Sequence, residues 1–103
     1  MGRSRSNLPL RKNCEGHFID KKKNILAKNE NALLVFPGGG IDDNEGVEKA
    51  ILRETFEETA TIIKNLKKVG RCKFLWGPHW AKSDKQRKRY QRYRGEDMYF
   101  FFR

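Results

Sequence analysis

The run from Gly38 to Thr61, GGGIDDNEGVEKAILRETFEETAT, joins a glycine-rich turn to a helix-forming segment and constrains the chain more than any other stretch. Glu54, Glu57 and Glu58 are spaced so that, at ~100° per residue, they share one face of a helix. Like charges on one face repel, so this cluster is either solvated or binds a cation. Mg²⁺ is the hard, oxygen-seeking cation that such a set of carboxylates suits.

The helix in this run is predicted to extend from Glu45 to Thr59. Asp43 or Asn44 can cap its N-terminus, and Glu45 and Glu48 place negative charge near the positive end of the helix dipole. Projection of the residues around the helix axis predicts one side that packs against the rest of the protein and one side that carries the functional groups. The packing side would contain Ile51, Leu52, Thr55, Phe56 and Thr59, and the other side Ala50, Arg53, Glu54, Glu57 and Glu58.

A chain of 103 residues has room for one domain with a single core. Its formal charge of +10 predicts a polyanionic partner, with nucleotides, nucleic acid and anionic membrane surfaces as the candidates. Cys14 and Cys72 do not form a CxxC motif, which favours a reducing, cytoplasmic setting. No apolar stretch approaches the ~20 residues of a membrane span, so we expect a soluble protein without a membrane partner.

Apolar and β-branched runs predict strands at residues 14–20, 32–36, 61–64, 69–76 and 98–102. The polar turn at residues 21–24 suggests a hairpin, and the continuous apolar run 32–36 is expected to be buried on both faces. A short basic helix is predicted after Gly77, because Ser83 and Gln86 match a capping box, and Gly95 is expected to stop it. Residues 1–13 are interpreted as a basic leader, loose over residues 1–7, that approaches the first strand.

The glycine-to-glutamate run resembles the Nudix box in residue type and spacing at six positions: Gly39, Glu45, Arg53, Glu54, Glu57 and Glu58. The strand before it, with Pro37, also resembles the usual entry into that box. Three positions depart from the family pattern, namely Thr55, Ala60 and Thr61. Ala60 replaces a glycine that leaves the helix in a left-handed conformation, so the exit from the helix is expected to differ.

The resemblance implies an α/β fold, a Nudix-type α/β/α sandwich with a mixed sheet, over residues 14–103. It also implies an enzyme, a Mg²⁺-dependent hydrolase with Mn²⁺ as the alternative cofactor. Such a hydrolase cleaves a pyrophosphate bond in a nucleoside diphosphate derivative of the nucleoside triphosphate, dinucleotide or nucleotide-sugar type. Nudix domains usually continue into further strands and a second helix, so the domain is expected to be incomplete at its C-terminus. It would then be a truncated product, a minimal version or an obligate oligomer such as a homodimer.

The resemblance also assigns roles to individual residues. Glu54, Glu57 and Glu58 would hold the metal ion, with the Gly38 carbonyl as a further ligand. Glu54 or Glu57 would double as the general base, and Arg53 would orient a carboxylate of the box. The structural positions of the loop would be Gly39, Gly40 and Glu45.

The basic segment from Lys85 to Arg94 supports an alternative function. Its cations either form a solvated surface or attract a polyphosphate or RNA, with substrate contacts assigned to Arg87, Lys88, Arg89, Tyr90 and Trp80. In that interpretation the chain is a catalytically weak or inactive Nudix-like module that binds RNA or nucleotides through its basic surface. His17 and His79 are expected to have strand or loop roles, since no nucleophile or ligand set accompanies them.

Overall fold

The computed structural model describes residues 5–103 and contains six strands and two α-helices in that range. A short 3₁₀ turn at Arg5–Asn7 precedes them. The strands are β1 (Leu10–His17), β2 (Lys28–Glu30), β3 (Leu33–Val35), β4 (Gly38–Gly40), β5 (Lys67–Leu75) and β6 (Gly95–Phe102). The helices are α1 (Val47–Thr59) and α2 (Asp84–Arg92).

Four of the strands form one mixed sheet in the order β4, β1, β6, β5. β1 is parallel to β6 and antiparallel to β4, and β5 is antiparallel to β6. β2 and β3 form a separate hairpin, and the two residues of its turn, Asn31 and Ala32, both have positive φ. A mixed sheet accompanied by two helices confirms the predicted α/β class.

Several strand predictions need correction. β1 begins at Leu10, so residues 10–13 belong to the sheet. The predicted loose leader lies partly outside the described residues, and its residues 5–7 form the 3₁₀ turn. Residues 61–64 form no strand. β3 is not buried on both faces, because within residues 5–103 it pairs only with β2, and Leu34 is 79% exposed.

Other predicted elements are present. The strands predicted at residues 69–76 and 98–102 are β5 and β6. The polar turn at residues 21–24 reverses the chain, and a bridge between Ile19 and Ile25 closes it. The core of the described residues contains Cys14, Phe18, Ala50, Ile51, Tyr99 and Phe101.

The start of α1 differs from its prediction. Asn44 has a positive φ and the amide of Glu45 donates to the Asp42 carbonyl, so the chain is still turning there. The N-cap is Gly46, without a side-chain hydrogen bond, and neither Asp43 nor Asn44 caps the helix. Glu45 therefore precedes the helix, and its carboxylate is free to bond Arg53.

The buried side of α1 also differs from the predicted packing side. Ala50, Ile51 and Thr55 are buried, whereas Leu52 and Phe56 are exposed. The reason is the position of the helix against β1 and β4, the strands that it contacts.

Two carboxylates share this buried side of α1. The side chains of Glu54 and Glu58 are only 17% and 14% exposed. β4 consists of three glycines, so it has no side chains to fill the space below the helix. The predicted separation into a packing side and a side for chemistry is therefore wrong.

The exit from α1 keeps the left-handed geometry. Ala60 has φ 56° and ψ 26°, and its amide donates to the Phe56 carbonyl. The expectation that alanine would change the helix exit is wrong, and the chain instead holds an alanine in a conformation that favours glycine.

α2 begins with the predicted capping box. The Ser83 hydroxyl accepts from the Gln86 amide, and the Gln86 side chain accepts from the Ser83 amide. The helix ends at Arg92, before Gly95, which is instead the first residue of β6 and lies too close to the Phe74 carbonyl for a Cβ. Neither helix of the described chain has the length and apolar composition needed to cross a membrane.

Candidate active site

The three glycines of β4 lie against the carboxylate-bearing side of α1. A Cβ on Gly39 would lie 2.8 Å from the Glu54 carboxylate, so a larger residue would displace it. A Cβ on Gly38, where φ is 158°, would collide with the Cys14 carbonyl. These glycines allow carboxylates of α1 to approach the backbone of the sheet, where N–H groups are available.

Arg53 joins the loop to three carboxylates. Its Nε and Nη2 donate to the two carboxylate oxygens of Glu45 at 2.8 and 2.9 Å. Nη1 donates to Glu54 at 2.9 Å and to Glu57 at 3.3 Å, while Nη2 also donates to the Gly40 carbonyl at 3.3 Å. These contacts, first of all the hydrogen bond with Glu45, raise the pKa of Arg53. A planar guanidinium with several fixed donors can orient these groups together.

Glu45 ties the loop to this network. Besides Arg53, its carboxylate accepts from the amide of Asp42 at 3.1 Å. The hydrogen bond from Arg53 is the largest cause that lowers the pKa of Glu45 from 4.5 to about 2. Glu45 is consequently ionised at neutral pH and holds Arg53 in place.

Glu54 and Glu58 form a carboxylate pair on the buried side of α1. Burial is the main cause that raises the pKa of Glu54, the neighbouring carboxyl of Glu58 adds to it, and Arg53 opposes both. Glu58 in turn accepts from the Gly38 amide at 3.4 Å. Two neighbouring carboxylates that repel each other in this way favour a proton or a cation between them.

The chemistry of these donors fits a hard divalent cation. Carboxylate oxygens are the ligands that Mg²⁺ prefers, and Glu54, Glu57 and Glu58 supply them from adjacent turns of one helix. Within residues 5–103, no three acidic, histidine or cysteine side chains are already gathered around one point. The Glu57 side chain is 56% exposed, against 17% for Glu54 and 14% for Glu58. The pair of Glu54 and Glu58 is therefore the better formed part of the site.

Lys28 is a site residue that the sequence analysis missed. Its Nζ lies 3.0 Å from the Oε2 atom of Glu58, and its side chain is 24% exposed. Lys28 begins β2, ten residues before Gly38 and 30 before Glu58, and no motif distinguishes it from the other lysines of a basic chain. Only the tertiary structure brings it to the carboxylates.

A polar cleft of about 490 Å³ opens beside the loop. It is lined by the first residues of β1, by residues 40–45 and by two aromatic side chains, Tyr93 and Tyr99. Arg11 belongs to this lining, and a Cβ on Gly40 would lie 2.7 Å from its Nη2 atom. Burial is the main cause that lowers the pKa of Arg11, followed by the charge of Arg89. A partly buried cation of this kind suits an anionic ligand.

Arg11 was also missed by the sequence analysis. It falls within the predicted basic leader, because the β-prone run predicts a first strand that begins at Cys14. The sequence signal that could have located Arg11 is the apolar residue Leu10. A strand predicted from Leu10 onward would place Arg11 and Lys12 on the sheet.

The structure does not gather the residues predicted to contact substrate at this cleft. On α2, Arg87 pairs with Asp84 at 2.7 Å, and Lys88 is exposed. The Arg5 guanidinium covers the ring of Tyr90 at 3.4 Å. Their contact with substrate stays a prediction.

Trp80 and Arg89, the other two predicted contacts, lie in different surroundings. Trp80 stacks on Trp76, with 3.7 Å between ring centroids. Arg89 is half-buried, and its positive charge is close enough to Arg11 to lower the pKa of that guanidinium. Of the five residues predicted, Arg89 is therefore the one with an electrostatic connection to the cleft lining.

Comparison with known proteins identifies the family. The family model for the NUDIX domain matches residues 16–103, which is most of the chain. The chain belongs to the Nudix family. This agrees with the glycine strand, the carboxylates of α1 and the Arg53 network described above.

Individual relatives of this Nudix domain are known. A Bacillus subtilis (strain 168) protein, YtkD, whose name describes it as an 8-oxo-dGTP diphosphatase, is 42% identical over 51 residues. The match spans 50% of this chain but only 32% of that relative, so about a third of the relative's length is compared.

Solved structures show the same fold. A MutT protein from Methanosarcina mazei Go1 has a TM-score of 0.60 and 16% identity, over 93% of this chain and 64% of that one. The Ap4A hydrolase of C. elegans has a TM-score of 0.53 and 14% identity, over 90% of this chain and 66% of that one. In both comparisons this Nudix domain spans less than two thirds of the other protein.

Proposed function

We propose that this Nudix domain is a Mg²⁺-dependent hydrolase that cleaves a pyrophosphate bond in a nucleoside diphosphate derivative. The observation that carries the proposal is the approach of two box carboxylates to the glycine strand: Glu54 lies beside Gly39 and is held by Arg53, and Glu58 accepts from the Gly38 amide. Among nucleoside triphosphates, dinucleotides and nucleotide sugars, the name of YtkD favours a nucleoside triphosphate. The free thiols of Cys14 and Cys72 support a reducing, cytoplasmic setting.

The proposal assigns roles to the carboxylates of α1, to Arg53 and to Gly38. Glu54, Glu57 and Glu58 hold the metal ion, Mg²⁺ or alternatively Mn²⁺, and the Gly38 carbonyl is a further ligand. The bound ion supplies charge neutralisation at the phosphoryl oxygens and promotes ionisation of the attacking water. Glu54 or Glu57 accepts the proton of that water. Arg53 is a positioning residue, because its hydrogen bonds orient both of these carboxylates.

The polar cleft is the proposed place for the substrate. Arg11 can pair with a phosphate group. Its guanidinium lies beside Gly40, and nearby acidic groups neutralise its positive charge only in part. Tyr93 lines the same cleft and offers an aromatic ring to a nucleobase. Phosphate and base contacts would then flank the bond that is cut.

A nucleotide panel tests this proposal. Purified protein is incubated with nucleoside triphosphates, dinucleoside polyphosphates and nucleotide sugars, with Mg²⁺, with Mn²⁺ or with EDTA, and the products are separated by anion exchange. We expect metal-dependent release of a nucleoside monophosphate. E57Q and E58Q should lower the rate by at least about 100-fold, because each removes charge from the metal-holding set.

E48Q is the matched control, since Glu48 is an exposed carboxylate in the first turn of the same helix. It should retain activity within about twofold, as surface substitutions away from a site usually do. Full activity of both E57Q and E58Q, or hydrolysis that is unaffected by EDTA, would refute the assignment.

A second candidate function, RNA binding by a catalytically weak or inactive module, is favoured by the surface of α2. Five cations, Lys85, Arg87, Lys88, Arg89 and Arg92, share this helix with one acid, Asp84. Lys85, Lys88 and Arg92 are exposed, and their spacing puts them on one face of the helix. A row of this kind can follow the phosphates of a single strand.

A further inference from the structure

The ion pair between Lys28 and Glu58 joins two distant parts of the chain. The ammonium of Lys28 lies 3.0 Å from Oε2 of Glu58, and the two side chains are 24% and 14% exposed. The same Oε2 atom accepts from the Gly38 amide at 3.4 Å. One carboxylate oxygen at the centre of the proposed metal site therefore has two donors from the protein.

The partner of Glu58 differs from the partner of the other carboxylates. Arg53 holds Glu45 with two donors of a planar fork and reaches Glu54 and Glu57 with a third. Lys28 is a compact charge on a flexible stem and makes one contact. A single lysine contact is more easily displaced than a bidentate guanidinium.

Lys28 also has a fixed anchor near the loop. β2 pairs with β3, and Lys28 lies opposite Val35, two residues before Pro37 and the start of the glycine strand. The hairpin therefore presents the lysine stem to Glu58 from β2, the strand that pairs with the one leading into the box. Its ammonium can leave the carboxylate by rotation of the stem while the backbone stays in place.

We propose that Lys28 is a positioning residue that competes with the divalent cation for Glu58. Without the cation, its ammonium neutralises Glu58 and keeps this carboxylate beside Glu54. Binding of the cation displaces the ammonium, because two positive charges cannot share one carboxylate oxygen without strong repulsion. This inference rests on the proposed function only in taking Glu58 as a metal ligand.

The competition between Lys28 and the cation is tested by titrating the protein with Mn²⁺ alone. The electron paramagnetic resonance signal of free Mn²⁺ reports binding, so neither substrate nor turnover is needed. K28M removes the charge but keeps an unbranched stem, and it should bind Mn²⁺ about fivefold more tightly than the wild type, as expected for loss of one competing ion pair. K21M is the control, because Lys21 is exposed in the 21–24 turn and its loss changes the net charge equally. It should leave the Mn²⁺ affinity unchanged.

Unfolding by urea supplies the second readout. In EDTA, K28M should be less stable than the wild type, since Glu58 has lost its counter-ion beside Glu54. In saturating Mn²⁺ this difference should shrink or reverse. A purely structural role of Lys28 would instead give the same loss of stability in both conditions and unchanged Mn²⁺ affinity, and this would overturn the inference.

E58Q separates the two proposals. If E58Q weakens Mn²⁺ binding and K28M does not strengthen it, the role of Lys28 is refuted and the metal assignment stands. If E58Q binds Mn²⁺ like the wild type, Glu58 is not a ligand, and the metal assignment and the role of Lys28 both fail. Circular dichroism of each variant establishes that it is folded, and K28Q replaces K28M if that variant does not fold.

Discussion

Arg53 lies within ion-pair distance of four carboxylates, those of Asp42, Glu45, Glu54 and Glu57. Its contacts are unequal, because only Glu45 receives two short hydrogen bonds. Glu45 also accepts from the loop backbone and precedes the helix. At the residue scale, Glu45 is therefore the group that fixes Arg53, and Arg53 then orients the carboxylates of α1.

The pH dependence of stability tests this pairing. The folded pKa of Glu45, about 2, lies below its usual 4.5. Its contribution is therefore present above pH 4.5 and is lost as the pH falls from about 4.5 to about 2. The stability difference between wild type and E45Q, measured by urea unfolding at a series of pH values, should decrease across this window.

E48Q is again the comparison, since it removes one carboxylate from α1 without breaking a bond to Arg53. If the difference between wild type and E45Q did not change between pH 5 and pH 2, the ion pair with Arg53 would not contribute to stability.

At the scale of elements, α1 begins after a turn and ends at a residue in the left-handed conformation. The N-cap Gly46 makes no side-chain cap, and the C-cap Ala60 has φ 56°. For a residue with a Cβ, this conformation costs roughly 1–2 kcal/mol. The helix nevertheless ends there, and the Ala60 amide closes its last turn by donating to the Phe56 carbonyl.

Replacement of Ala60 by glycine should therefore stabilise the protein. We expect A60G to raise the free energy of unfolding by about 1 kcal/mol, because glycine adopts the left-handed conformation without a steric penalty. Urea denaturation measures the change. A81G is the control, since Ala81 does not have a positive φ, and it should give no gain. Equal effects of A60G and A81G would contradict the proposed strain.

At the scale of the whole molecule, a formal charge of +10 is distributed over surfaces with different uses. The cations at the box are paired with carboxylates or line the cleft. Those of α2 project largely into solvent, with Arg87 paired to Asp84. Lys85, Lys88 and Arg92 of α2 are therefore exposed cations that are not paired with the carboxylates of the box.

Fluorescence anisotropy can measure the affinity for single-stranded RNA at several salt concentrations. Such measurements distinguish RNA binding at α2 from general attraction of RNA to a positively charged protein. If α2 holds RNA, the combined K85Q, K88Q and R92Q variant should bind more weakly. Its slope of log affinity against log salt should fall by about 2, as expected for three lost phosphate contacts on a single strand. The combined K21Q, K22Q and K64Q variant removes equal charge from exposed lysines outside α2. Equal loss in both variants would exclude α2 as the binding surface.

The sequence predicted those elements whose signals are local. The capping box of Ser83 and Gln86 marks α2 because both partners lie within one turn. The spacing of Arg53, Glu54, Glu57 and Glu58 marks the Nudix box for the same reason. The prediction that residues 32–36 are buried on both faces is wrong, because an apolar run does not reveal which strand will pair with it or what will cover it.

The amino-acid sequence by itself determined the family, the α/β class and the set of carboxylates on one helix, since spacing along a helix fixes which side chains are neighbours. Only the tertiary structure decided where those carboxylates lie and which groups they pair with. Packing of α1 over the glycines of β4 buried Glu54 and Glu58, and chain segments distant in sequence brought Lys28 and Arg11 to the site. The physical reason is that burial and ion pairing depend on contacts between elements, which no local pattern encodes.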